Sequence, residues 1–185
     1  MLNSPVWRGA PTLAFCLGLL CGGVVAAMVF LVAGSLLRAP LPGWARVGVI
    51  AVAYTVIVLR EYGVIRLRLP ENRRLVPESV FRLGRLLGPF QFGLEMGTGA
   101  RTFLPSGLPY VGAVAVAFLA GPLAAVAIGV GFGLGRSMMT VSNLRYDDEG
   151  GWNHEWLAYG AVTAKALLAS FTLTLATVVL LTAWH

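Results

Sequence analysis

Long apolar runs alternate with short polar stretches along the whole chain. From Pro11 to Leu37 there is no charged residue. That run is long enough to span roughly 30 Å of hydrocarbon as a helix. LRAPLPGWAR then supplies two prolines and a glycine, which predicts a short turn. A second run, WARVGVIAVAYTVIVLREYGVI, spans again and ends near Arg60 and Glu61. The segment from Arg66 to Arg85 is the strongly polar one, too charged to cross and too long for a tight turn. From Leu86 to Met139 the chain is apolar but punctuated, by Pro105 and Pro109 and again by Gly121-Pro122. This gives three pieces, 88–104, 107–120 and 122–138, near or below the length of a full crossing. NLRYDDEGGWNHEW forms a second polar loop. The last run, 156–184, ends in Trp184, a residue suited to an interface.

Counting each piece as a crossing predicts an all-α, polytopic membrane helical bundle of about six transmembrane helices, some short or kinked. The 65–87 loop carries the arginines and should face the cytoplasm, with the N-terminus on the same side. Asp147, Asp148, Glu149 and Glu155 then place the 142–155 loop opposite. A re-entrant piece among the three short ones would move that loop to the other side.

Composition agrees with the hydropathy pattern. The chain is 57% hydrophobic and 12% charged, with a mean hydropathy of +0.78, whereas soluble domains carry about 25% charged residues. A formal charge of +6 would suit nucleic acid. Here, however, the arginines cluster beside apolar runs, as at cytoplasmic membrane edges, and no nucleic-acid partner is expected. The 11–37 run exceeds the 7–15 residues of a signal-peptide core, so it is expected to stay as a helix. Cys16 and Cys21 lie on different faces of that helix, roughly 8 Å apart at Cα, too far to bridge.

An internal repeat is visible. Phe15, Gly18, Leu19 and Gly22 read F-x-x-G-L-x-x-G, as do Phe90, Gly93, Leu94 and Gly97. FLVAG at Phe30–Gly34 is answered by FLPSG at Phe103–Gly107. A repeat at this spacing divides the single membrane domain, 1–185, into halves 1–87 and 88–185. With three helices each, the halves would be inverted, a recurring transporter plan. The glycine-led first helix of each half, the basic central loop and the closing GFGLGR resemble the CcdA/DsbD-type membrane family. That resemblance implies six helices in two inverted halves and thiol-disulfide electron transfer across the membrane. The family's Pro-Cys pairs would fall near Val25-Ala26 and Ala100-Arg101, where this chain has no cysteine. The likeness thus speaks for an architecture and against the redox reaction.

Glu95 is the leading functional candidate, because an ionised group at membrane depth tends to face a cavity or a partner. Arg101 lies six residues on, about 120° around a straight helix, and can meet Glu95 only where the chain unwinds at Gly97-Thr98-Gly99. Such a break would expose backbone amides beside Thr98. Lys165, the single lysine, sits about 13 Å into the last run; it either snorkels to the interface or pairs with Glu95. Gly129/Gly133 and Gly131/Gly135 form two faces for close helix packing. Nucleophilic triads, metal-ligand spacings and nucleotide motifs are absent, so neither enzyme chemistry nor a cofactor is expected. The expected function is a small-solute or ion permease, or a component of one, in a bacterial inner membrane. Its expected binding residues are Glu95, Gly97, Thr98, Gly99, Arg101 and Lys165. Alternatives are thiol-disulfide electron transfer and a non-catalytic subunit or assembly factor. Expected partners are the bilayer and a protein docked on the Arg66–Arg85 loop.

Overall fold

The computed structural model describes residues 9–67, 69, 83–99, 106–143 and 151–183. Among these are six helices: α1 (Ala10–Arg38), α2 (Gly43–Glu61), α3 (Leu87–Gly97), α4 (Leu108–Leu119), α5 (Pro122–Asn143) and α6 (Gly151–Ala183). The fold is all-α as expected. Four of the six, α1, α2, α5 and α6, are long and apolar enough to cross a membrane.

Proline and glycine set the boundaries. Pro11 occupies the first turn of α1, where a missing N–H costs nothing. Pro40 and Pro42 end α1 and turn the chain into α2. Gly63, at φ +73°, closes α2 by donating its N–H to the carbonyl of Arg60. Ala120 is extended before Gly121-Pro122, and Pro122 opens α5.

α1 is the axis of the bundle, and glycine is what lets its neighbours approach. Gly18 faces the backbone of Phe90, Gly93 and Leu94; Gly22 faces Leu94 and Gly97. Reciprocally, Gly93 faces Phe15 and Leu19, and Gly97 faces Leu19. The two F-x-x-G-L-x-x-G stretches therefore pack on each other, with the Phe15 and Phe92 rings 5.6 Å apart beside them. On an adjacent side of α1, a Cβ at Gly129 would come within 2.7 Å of the Gly23 carbonyl, and one at Gly133 within 2.6 Å of Leu20 Cα. Higher up, Gly34 lies against Ala117 of α4. There Ala27, Leu31, Val116, Ala120 and Ala125 form a small apolar core. Arg38 closes this end by donating from Nη1 to the Ala120 carbonyl at 2.8 Å.

These contacts fix directions. Later residues of α3 meet later residues of α1, so the two repeat stretches run parallel. Inverted halves would set them antiparallel, so the structure does not have the expected relation between 1–87 and 88–185. Gly129 and Gly133 meet Gly23 and Leu20 in reverse order, so α5 runs antiparallel to α1. α3 lies along the first half of α1, and α4, ending near Gly34, lies along the second. At 11 and 12 residues they measure about 16 and 18 Å. End to end they match one membrane thickness, where the sequence suggested two crossings. The physical reason is that each half alone is too short for about 30 Å of hydrocarbon. As a consequence α5 ends, at Asn143, toward the N-terminal end of α1, the same end at which α3 begins. The 142–155 connection thus starts at that end and not at the opposite one; its residues 144–150 lie outside the described set.

Exposed large hydrophobics, among them Leu13, Val29, Val32, Leu36, Leu173 and Leu180, clothe the outside. No residue of the α6 span Ala158–Leu180 is buried. So much bare hydrocarbon on so small a core is what a bilayer solvates and water does not.

Candidate site at the broken helix

Three helix ends meet about half-way along α1. α3 ends where Gly97 touches Leu19, with Gly22 alongside. The N-cap of α4, Gly107, lies ten residues before Ala117, about 15 Å below the level of Gly34 and so beside Val24. α2 ends there too, because Glu61 Oε1 accepts the Gly107 N–H at 2.8 Å.

On the α3 side the last turn closes on itself. Thr98 Oγ1 donates to the Glu95 carbonyl at 2.7 Å. The N–H groups of Thr98 and Gly99 donate to Leu94 and Met96 at 3.2 Å each. Gly99 has φ +75°, a left-handed geometry that stops the helix and that glycine adopts without strain. Glu95 sits half-buried one turn earlier. A Cβ at Gly99 would lie 3.7 Å from the Phe132 ring of α5, and the Arg136 guanidinium carbon lies 5.9 Å from that ring's centroid. This is within cation–π range. Arg136 follows Gly133 by less than a turn, and Glu95 precedes Gly97 by two residues. Both helices pack at the level of Leu19, so the acid and the base stand at about the same height.

On the α4 side, Gly107 is enclosed by Ile57 and Leu69, with a Cβ there meeting Ile57 at 2.9 Å and Leu69 at 3.2 Å. Ser106 Oγ accepts the Leu108 N–H at 3.2 Å. Glu61 puts a carboxylate at the N-terminus of α4, where the helix dipole favours negative charge. Its Oε1 also receives Arg60 Nη1 at 3.0 Å, while Arg60 Nε donates to the Leu67 carbonyl at 3.0 Å. At the break, then, the first backbone donor of α4 is met by a side chain of α2, while the end of α3 is closed by its own Thr98.

Of the residues expected from sequence, Glu95, Gly97, Thr98 and Gly99 fall together at this break. Gly97 is used for packing on α1, and Thr98 and Gly99 shape the helix end. Arg101 lies outside the described residues, as do Arg68 and residues 70–82 of the basic loop and residues 144–150. Lys165 is exposed on α6, a helix whose polar contact with the bundle is Tyr54 Oη to Thr172 Oγ1 at 2.6 Å. Sequence reasoning missed Arg60, Glu61 and Arg136. For Arg136 a signal existed, a lone cation within an apolar, glycine-rich run. Glu61 looked like the edge of a polar loop, and nothing local said that its helix stops half-way. Cys16 and Cys21 are both free, on an unbroken α1. Among the described residues no group of three or more His, Cys, Asp or Glu could hold a metal. Comparison with protein-family models, curated proteins and solved structures finds no match.

Proposed function

We propose that this integral membrane protein is a small-solute or ion permease, or the membrane subunit of one, built around a broken third crossing. The observation that carries the reading is the α3/α4 interruption half-way along α1, with Glu61, Glu95 and Arg136 at or close to that height. Interrupted backbone is tolerated at membrane depth only where protein or a water-filled cavity meets it. A charged side chain there costs about 2.5–3.5 kcal/mol on insertion scales, so such groups turn inward. Half-helices whose ends face a midplane site are a recurring way of holding polar cargo. The positive-inside tendency assigns the end bearing the start of α1 and α3 to the cytoplasm of an inner membrane.

Glu95 and Arg136 are proposed as the polar lining, with Thr98 and Gly99 holding the end of α3. Purified protein in pyranine-loaded proteoliposomes should show protein-dependent proton or counter-ion flux under imposed sodium, potassium, phosphate or acetate gradients. Glu95→Gln should reduce that flux at least tenfold. Unchanged flux in the variant removes Glu95 from the mechanism, and the absence of any protein-dependent flux ends the permease reading.

One observation favours a subunit role instead. Gly129/Gly133 is consumed by α1, but a Cβ at Gly131 or Gly135 would meet nothing within 4 Å. A stoichiometric partner retained in mild detergent, and lost with Gly131→Leu, would support that reading over independent transport.

A further inference from the structure

α6 touches α2 through one polar contact in an apolar setting, Tyr54 to Thr172. α2 descends toward the break, since its C-terminal Glu61 reaches Gly107. α6 ascends. It starts at Gly151, eight residues after α5 ends toward the N-terminal end of α1, and it reaches the height of Tyr54 only at Thr172. The two helices are therefore antiparallel, and equal offsets from their contact reach equal heights. Glu61 is seven residues below Tyr54, and Lys165 is seven residues below Thr172. Seven residues return to the same helix face within about 20°. An acid and a base thus fall on facing sides of α2 and α6, about 10 Å below the contact. Lys165 is the one charged residue in the span Ala158–Leu180, and its side chain is exposed where lipid would be the solvent. The Glu61 side chain keeps 26% of its surface exposed although it already meets Arg60 and the Gly107 amide.

We propose that Lys165 and Glu61 form an intramembrane charge pair that seats α6 against α2 and closes the flank of the break. The carboxylate has two oxygens with about four acceptor positions. It can therefore hold the Gly107 N–H, Arg60 and the Lys165 ammonium together. Arg60 is the competing cation on α2, and Ser106 Oγ and Tyr110 are the polar side chains at the start of α4. The inference stands on the helix register and does not depend on transport.

Two measurements test it. In lipid nanodiscs, Lys165→Gln should lower the thermal midpoint by about 2–4 °C, the size of one such contact in a chain of this length. In a Glu61→Gln background the same change should have no further effect. In a Cys16→Ser/Cys21→Ser chain, Glu61→Cys with Lys165→Cys should be joined within one molecule by a short bis-maleimide. Tyr54→Cys with Thr172→Cys serves as the positive control. Equal effects of Lys165→Gln in both backgrounds, as a snorkelling ammonium would give, overturn the proposal. So does a control pair that links while 61 and 165 do not, or a link that joins two chains.

Discussion

Replacing Gly93 by alanine tests the central packing claim with a single methyl group. The added Cβ would sit 3.0 Å from Phe15 carbonyl carbon and 3.1 Å from Leu19 nitrogen, with the Phe15 oxygen nearer still. Ordinary contact starts at 3.4 Å. All three atoms are main chain within α1, so no flexible side chain can swing aside, and with the Phe15 oxygen the nearest of them α3 must retreat by on the order of 1 Å. A radial gap of 0.5–1 Å forfeits roughly a quarter to a half of each dispersion contact, and that loss runs along the whole interface from Phe15 to Gly22. Overpacking of this kind costs about 1–3 kcal/mol. The reciprocal Gly18→Ala should cost a similar amount. The double variant should cost less than the sum, because one opening of the gap accommodates both methyls. The measurement is the unfolding midpoint in mixed micelles titrated with sodium dodecyl sulfate, with Gly131→Ala as control, since a Cβ there meets nothing within 4 Å. A Gly93→Ala protein as stable as the parent, or strict additivity of the pair, would refute a glycine-zipped α1–α3 contact.

Tyr54→Phe should weaken the seating of α6 by about 0.6 kcal/mol, the average of polar contacts between membrane helices; it is readable as faster proteolysis of the α5–α6 connection. Arg38→Gln removes the guanidinium that holds the Ala120 carbonyl and should destabilise the α4–α5 turn by about 1 kcal/mol, measured by the same detergent titration. Gly99→Val places a β-branched residue at φ +75° and should cost about 1–3 kcal/mol, whereas Gly99→Asn should be tolerated better because asparagine enters the left-handed region more readily. Copper-phenanthroline oxidation should leave Cys16 and Cys21 without an intramolecular disulfide, since a five-residue helical offset holds their Cα atoms beyond bridging range; mass spectrometry of the linked peptide decides it.

Hydropathy and punctuation carried the class of fold and most helix ends. Bare apolar runs of spanning length leave backbone groups no partner but a helix in hydrocarbon, and Pro11, Gly63 and Pro122 act locally, within one turn of themselves. The close-contact glycines were legible too, because a missing Cβ is a property of the residue. Which glycine meets which, and in what direction, was not. The repeat pointed to inverted halves, yet Gly18 and Gly22 lie on Gly93 and Gly97 in parallel, since that outcome depends on how α1 and α3 are brought together and not on either stretch alone. The same holds for the site. Glu95, Thr98 and Gly99 stood out as charge and glycine in an apolar run, while Glu61 became part of the break only because α2 stops half-way along α1, beside the first amide of α4. Segment length marked 88–104 and 107–120 as short, yet counting each as a crossing gave six; the helices they form, 11 and 12 residues long, are each too short to span alone. Tertiary packing decided that they stack end to end on α1, because one long glycine-lined helix offers both halves a surface to which they can come backbone to backbone.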